Sequence, residues 1–170
     1  AAGGSLSSLA GPRAGSEAPA GESGTGPGQP PRRKGEVVVS IHLPDKWPRS
    51  GDAYLRFIPR TEMDIAVVGA AVSLSLDENG LCSAARVVLG AIAPTALLVA
   101  EAADALNGSP VDDAALERLA TAARAACRPI DDKRGTVEYR TKVAGVLARR
   151  ATGIALELAP IPISEPTTPQ

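Results

Sequence analysis

Apolar and polar positions along the chain follow two different rhythms. From residue 36 to 89 they come as short, β-branched runs broken by turn residues. Glu36–Leu43 reads as a strand that stops at Pro44. Pro44–Asp52, with two prolines and a glycine, reads as a loop. Tyr54–Ile58, Ile65–Leu76 and Leu81–Leu89 read as three more strands. Asn79-Gly80 lies between the last two, and this dipeptide between apolar runs is the strongest local hairpin signal. From residue 94 onward the spacing becomes helical. Pro94-Thr95 opens one predicted helix that runs to about Leu106 and ends at Asn107-Gly108. Asp112 or Asp113 caps a second, with Leu116, Leu119 and Ala123 on one face. Gly135-Thr136 precedes a third, in which Val137, Val143, Val146, Leu147 and Ile154 are apolar. Strands followed by helices predict an α+β two-layer sandwich. Its antiparallel sheet of three to four strands carries three helices on one face.

The two ends follow neither rhythm. Gly, Ala, Ser and Pro fill 24 of residues 1–34, and only Leu6 and Leu9 offer sizeable apolar side chains. Such a segment cannot offset its ordering entropy by burial, so residues 1–34 are expected to be a disordered tail. Residues 156–170, with Pro160, Pro162, Pro166 and Pro169, are expected to be loose as well. The folded unit is then 35–155. Neither a basic start nor an apolar run marks a secretory signal.

Composition narrows the function by exclusion. Lys plus Arg (18) against Asp plus Glu (19) gives a net charge of -1, which does not suit a nucleic-acid binder. No stretch approaches the ~20 apolar residues of a membrane span. Cys82, Cys127 and the single His42 are too few for a standard zinc site. The two cysteines read as buried thiols of a cytoplasmic protein, with a disulfide as the alternative. His42 closes a strand beside Pro44 and has no orienting partner in the pattern, so it reads as a packing or surface residue. Asp112-Asp113 and Asp131-Asp132 sit at loop-to-helix transitions, where capping explains them. Asp64, just before a strand, reads as a turn residue, and Arg32-Arg33-Lys34 as a solvated run. No catalytic or metal-binding set emerges.

Four segments nevertheless resemble one family. Gly35-Glu-Val-Val-Val-Ser-Ile-His-Leu-Pro44 is similar to a strand of the FAD-binding medium subunits of molybdenum hydroxylases, the carbon monoxide dehydrogenase, xanthine dehydrogenase and aldehyde oxidase relatives. Tyr54-Leu-Arg-Phe-Ile-Pro-Arg-Thr-Glu-Met-Asp-Ile-Ala66 resembles that family's stretch with a Lys or Arg, an Arg and an Asp at the positions of Arg56, Arg60 and Asp64. Leu89-Gly-Ala-Ile-Ala-Pro-Thr95 and Tyr139-Arg140 through Arg150 match its later segments.

The resemblance implies the C-terminal domain of such a subunit. There FAD passes electrons from iron–sulfur clusters to an acceptor, in complex with a large molybdenum-cofactor subunit and a small iron–sulfur subunit. It implies two flavin-proximal residues, Val38 on the first strand and Arg56 on the next. Of the family's two Gly-rich FAD loops only the second has a counterpart, Gly3-Gly-Ser-Leu6, while Thr25-Gly-Pro27 followed by Gly35-Glu36 is similar to the segment leading into the first strand. Tight FAD binding and activity by this chain alone are therefore not expected. The alternative is a non-catalytic interaction or remnant domain without flavin.

Overall fold

The computed structural model describes residues 5–10, 13–19, 24, 26, 28, 29, 35–60 and 63–159. Its strands are β1 (Ser5–Ala10), β2 (Arg13–Pro19), β3 (Val37–His42), β4 (Ser50–Phe57), β5 (Val68–Leu76), β6 (Cys82–Gly90) and β7 (Leu97–Leu98). Its helices are α1 (Ala100–Asp104), α2 (Asp113–Ala126) and α3 (Val137–Leu158).

The larger unit is the expected α+β sandwich. An antiparallel sheet in the order β4-β5-β6-β7 carries the three helices on one face. β5 is the central strand and is buried along nearly its whole length, which is why Val68–Leu76 reads as a continuous apolar and small-residue run. Val68, Val72, Leu74, Val87, Leu89, Leu106 and Leu119 form the middle of the core. The hairpin between β5 and β6 turns at Asn79-Gly80. Gly80 takes φ +79°, and the Asp77 carboxylate accepts from the amides of Asn79 and Leu81, both at 2.8 Å.

Helix starts follow the capping chemistry. Asp112 accepts from the Ala115 amide at the start of α2, and Thr136 accepts from the Tyr139 amide at the start of α3. α1 departs from the expectation of a helix opening at Thr95. Leu97 and Leu98 instead pair with β6, and the Val99 amide donates to Val87 O, so the helix begins only at Ala100.

Residues 5–42 differ more. β1 and β2 form an antiparallel hairpin within the segment expected to be disordered, and β1 also pairs antiparallel with β3. β3 therefore belongs to a separate three-stranded sheet, β2-β1-β3, and not to the main one. One face of β3 is open, with Val37, Val39 and Ile41 62%, 59% and 63% exposed. Backbone pairing onto a β-branched strand supplies the order that side-chain composition alone does not suggest. At the other end α3 continues through Leu158, past the expected boundary at 155, because Ala155 and Ala159 are buried against the sheet. Residues 160–170 lie outside the described residues.

Candidate functional site

The densest polar cluster lies where the β4–β5 loop meets the loop before α3. Arg140, on the first turn of α3, is only 3% exposed. Its guanidinium donates to Val67 O at 2.7 Å, to Asp132 Oδ1 at 2.5 Å and to Gly135 O at 3.3 Å. Asp64 lies on the β4–β5 loop. Its Oδ1 accepts from Arg134 Nε at 3.1 Å and from the Ile65 amide at 2.8 Å, and its Oδ2 from Arg60 Nε at 3.2 Å. The rings of Phe57 and Tyr139 meet edge to face 6.2 Å apart beside this cluster.

Two sequence readings change here. Asp132 does not cap α3, a role taken by Thr136; it binds the buried Arg140. Asp64 is more than a turn residue, because it joins Arg60 of its own loop to Arg134, 70 residues away in sequence. Spacing alone could not pair them. The family-like segments do contain these residues, Arg60 and Asp64 in Tyr54–Ala66 and Arg140 in the segment from Tyr139 to Arg150, and that was the available signal.

The hydrogen bond from Arg134 holds the Asp64 carboxyl below its usual range, and that from Arg140 does the same for Asp132. A folded-state pKa below the unfolded value of about 3.9 means stability that is present above that value and lost as pH falls through the folded one. The melting temperature is therefore expected to hold from pH 7 to about 5 and to drop below about pH 4. Asp132→Asn should flatten that acid limb, as measured by thermal melts across pH; an unchanged limb would remove Asp132 from the linkage.

Arg56 lies on the other side of the sheet. Gly51, on the helix face of β4, abuts Ala155 of α3, so the alternate residues Asp52, Tyr54 and Arg56 look to the helix-free face. Arg56 pairs across the sheet with Gly69, and Gly69 with Gly90. Next to these two glycines runs a row of Tyr54, Ala71, Val88 and Leu98, and the Tyr54 ring leans over Gly69, its hydroxyl 3.0 Å from where a Cβ on that glycine would lie. Arg56 is exposed and has no ion pair among the described residues. Val38 is half-buried on β3, opposite Ser8 in the separate sheet. No described contact brings Val38 and Arg56 together.

The remaining candidates carry little. His42 is exposed and lies 3.1 Å from the Ser40 hydroxyl. Cys82 and Cys127 are free and buried, and burial pushes both thiols up. Among the described residues no three His, Cys, Asp or Glu gather as metal ligands, and no helix is long and apolar enough to cross a membrane.

Residues 53–155 match the family described as the CO dehydrogenase flavoprotein C-terminal domain. The chain belongs to this family. It is 38% identical over 117 residues to the carbon monoxide dehydrogenase medium chain of Afipia carboxidovorans, covering 69% of this chain and 40% of that one. It is 27% identical over 136 residues to a putative xanthine dehydrogenase FAD-binding subunit of Escherichia coli K12, covering 79% and 46%. The structure superposes on reconstituted CO dehydrogenase from Oligotropha carboxidovorans with a TM-score of 0.84 and 32% identity, over 92% of this chain and 54% of that one. The chain thus spans less than half the length of the curated relatives it matches. Residues 43–170 cannot alone supply 92% coverage, so the structural likeness takes in part of the β1–β3 sheet.

The flavoprotein C-terminal domain fits one part of an FAD site. Arg56 offers an exposed cation on the helix-free face beside the Tyr54 ring, an arrangement suited to one edge of an isoalloxazine ring. Among the described residues the pyrophosphate has no counterpart: α1, α2 and α3 have Val99, Asp112 and Thr136 at their N-caps, with no glycine-rich loop before any of them. Gly3 and Gly4 lie outside the described residues.

Proposed function

We propose that this chain is the flavin-facing C-terminal domain of the FAD-bearing subunit of a molybdenum hydroxylase. It would work with a large molybdenum-cofactor subunit and a small iron–sulfur subunit. The observation that carries the reading is the shared fold and sequence with CO dehydrogenase medium chains across residues 53–155. FAD would supply the electron transfer from iron–sulfur clusters to an acceptor. This chain's part is positional: Arg56 presents a positive charge that favours the reduced, anionic ring, and the Arg140–Asp132 and Asp64 clusters hold the loop that follows it. Val38 is assigned to the same flavin environment through β3, a role that requires the two sheets to meet in the assembled enzyme. The free, buried thiols are in keeping with the cytoplasm.

Affinity capture from the native host, with the chain as bait, is expected to recover both partner subunits. Recovery of neither overturns the reading. The purified chain alone is expected to lose added FAD on desalting, and so to show no flavin band at about 450 nm, the region where the free cofactor itself absorbs. Retention of the band would mean that the pyrophosphate is held by residues outside those described.

A further inference from the structure

We propose that β4 is the seam of a two-fold dimer with a second copy of this chain. The two β4 strands pair antiparallel about an axis through Tyr54, and Arg56 of each lies opposite Asp52 of the other. β4 is eight residues long and stands at one edge of its sheet, paired only with β5 among the described residues. Arg49 O accepts from the Leu76 amide and Phe57 O from the Val67 amide, so the odd-numbered residues of β4 turn their backbone groups toward β5. By alternation, the amides and carbonyls of Ser50, Asp52, Tyr54 and Arg56 face outward, where no described strand meets them.

The strand is complementary to itself in one register. An edge bonds to its own copy only where outward residues stand opposite outward residues. With Tyr54 on the axis, Tyr54 faces Tyr54 and Asp52 faces Arg56 on either side of it, a ladder of about six main-chain hydrogen bonds. Asp52, Tyr54 and Arg56 share the helix-free face, where opposite charges on directly paired residues attract. Arg56 has no ion pair among the described residues, and Lys46, which holds Asp52 at 3.0 Å, is 71% exposed. A shift of register by two residues sets Arg56 against Tyr54 or Ser50 and removes both charge pairs. Charge therefore selects the register.

The helix layer fits the same axis. α3 lies across both β4 and β5. One further strand spacing of ~4.8 Å sets the two α3 helices side by side, antiparallel and about 10 Å apart, the usual distance between packed helices. A groove of about 510 Å³ between β4 and α3 runs along this seam, with Leu55, Leu147 and Ile154 as its apolar floor. Ile154 is 38% exposed in the single chain, and the second α3 covers it. Gly153 beside it has nothing within 4 Å of where a Cβ would lie, which leaves room for that helix. Arg150 and Glu157 stand at the exposed rim. The inference describes the chain by itself and does not depend on the flavoprotein reading.

Charge reversal supplies the test. Sedimentation equilibrium of the full chain is expected to show a monomer–dimer equilibrium. Arg56→Asp and Asp52→Arg each set like charges opposite one another and should weaken the dimer about tenfold or more. The double variant restores opposite charges and should return to within about threefold of the parent. Tyr54→Pro removes an outward amide at the axis, leaves the β5 ladder intact, and should give a folded monomer. Thermal melts of every variant check folding. In the parent, the amides of Asp52, Tyr54 and Arg56 should exchange more slowly as concentration rises. A chain that stays monomeric at millimolar concentration overturns the proposal. So does a dimer that both single reversals leave intact, one that the double variant fails to restore, or one that forms without protecting these amides.

Discussion

Replacing Arg140 by alanine is expected to destabilise the domain by about 3 kcal/mol and to lower its melting temperature by about 10 °C or more. The side chain is almost fully buried and its guanidinium makes three hydrogen bonds. Truncation leaves Val67 O without its donor and Asp132 without its cation, and opens a void beneath the β4–β5 loop. Arg140→Lys should recover little, because a single ammonium cannot span three acceptors set in a fork. Arg149→Ala is the useful contrast. Its ion pair with Asp113 is also short, at 2.6 Å, but the two side chains are 44% and 90% exposed. Such a pair contributes well under about 1 kcal/mol. Thermal and urea melts of the two variants decide the point: equal losses would mean that burial is not what gives Arg140 its weight.

Gly51→Ala is expected to cost about 3 kcal/mol, at the upper end of overpacking effects. A methyl group there would lie 1.9 Å from Ala155 O and 2.8 Å from Ala159 N. Both neighbours are backbone, so no side chain can rotate away. α3 has to lift off the sheet edge or β4 has to bend. Loss of the native near-ultraviolet signal from Phe57 and Tyr139 should accompany the drop in stability, since their ring contact depends on how α3 seats. A Gly51→Ala protein as stable as the parent would show that the close crossing is not maintained in solution.

Much of the fold was legible because local chemistry and tertiary demand agree. Asn79-Gly80 turns where its dihedral preference says it should, and Asp112 and Thr136 cap the helices they precede. Three features were not legible, each for a different reason. The helix expected from Thr95 is delayed because Leu97 and Leu98 find a partner in β6, a contact that no local window contains. β1 forms by backbone pairing to both β2 and β3, which composition does not report. Asp132 and Arg140 look like a cap residue and a helix-start cation, and only the fold shows that they bind each other.

The candidate site followed the same division. Arg56 and Asp64 were visible through a family-like stretch. The row of Gly69 and Gly90 beside Arg56 depends on strand register, and register is a property of the pairing, not of either strand alone.

The seating of α3 across β4 and β5 also governs the order in which the chain can assemble. The β5–β6 hairpin closes over a few residues and forms early, on a microsecond scale of about 1–10 μs. The helix that covers it begins some sixty residues after β5 ends. During synthesis, the part of the sheet under α3 therefore stays bare until that helix has left the ribosome. Folding of this domain is a late, long-range closure, and the nascent sheet is the species most in need of a chaperone.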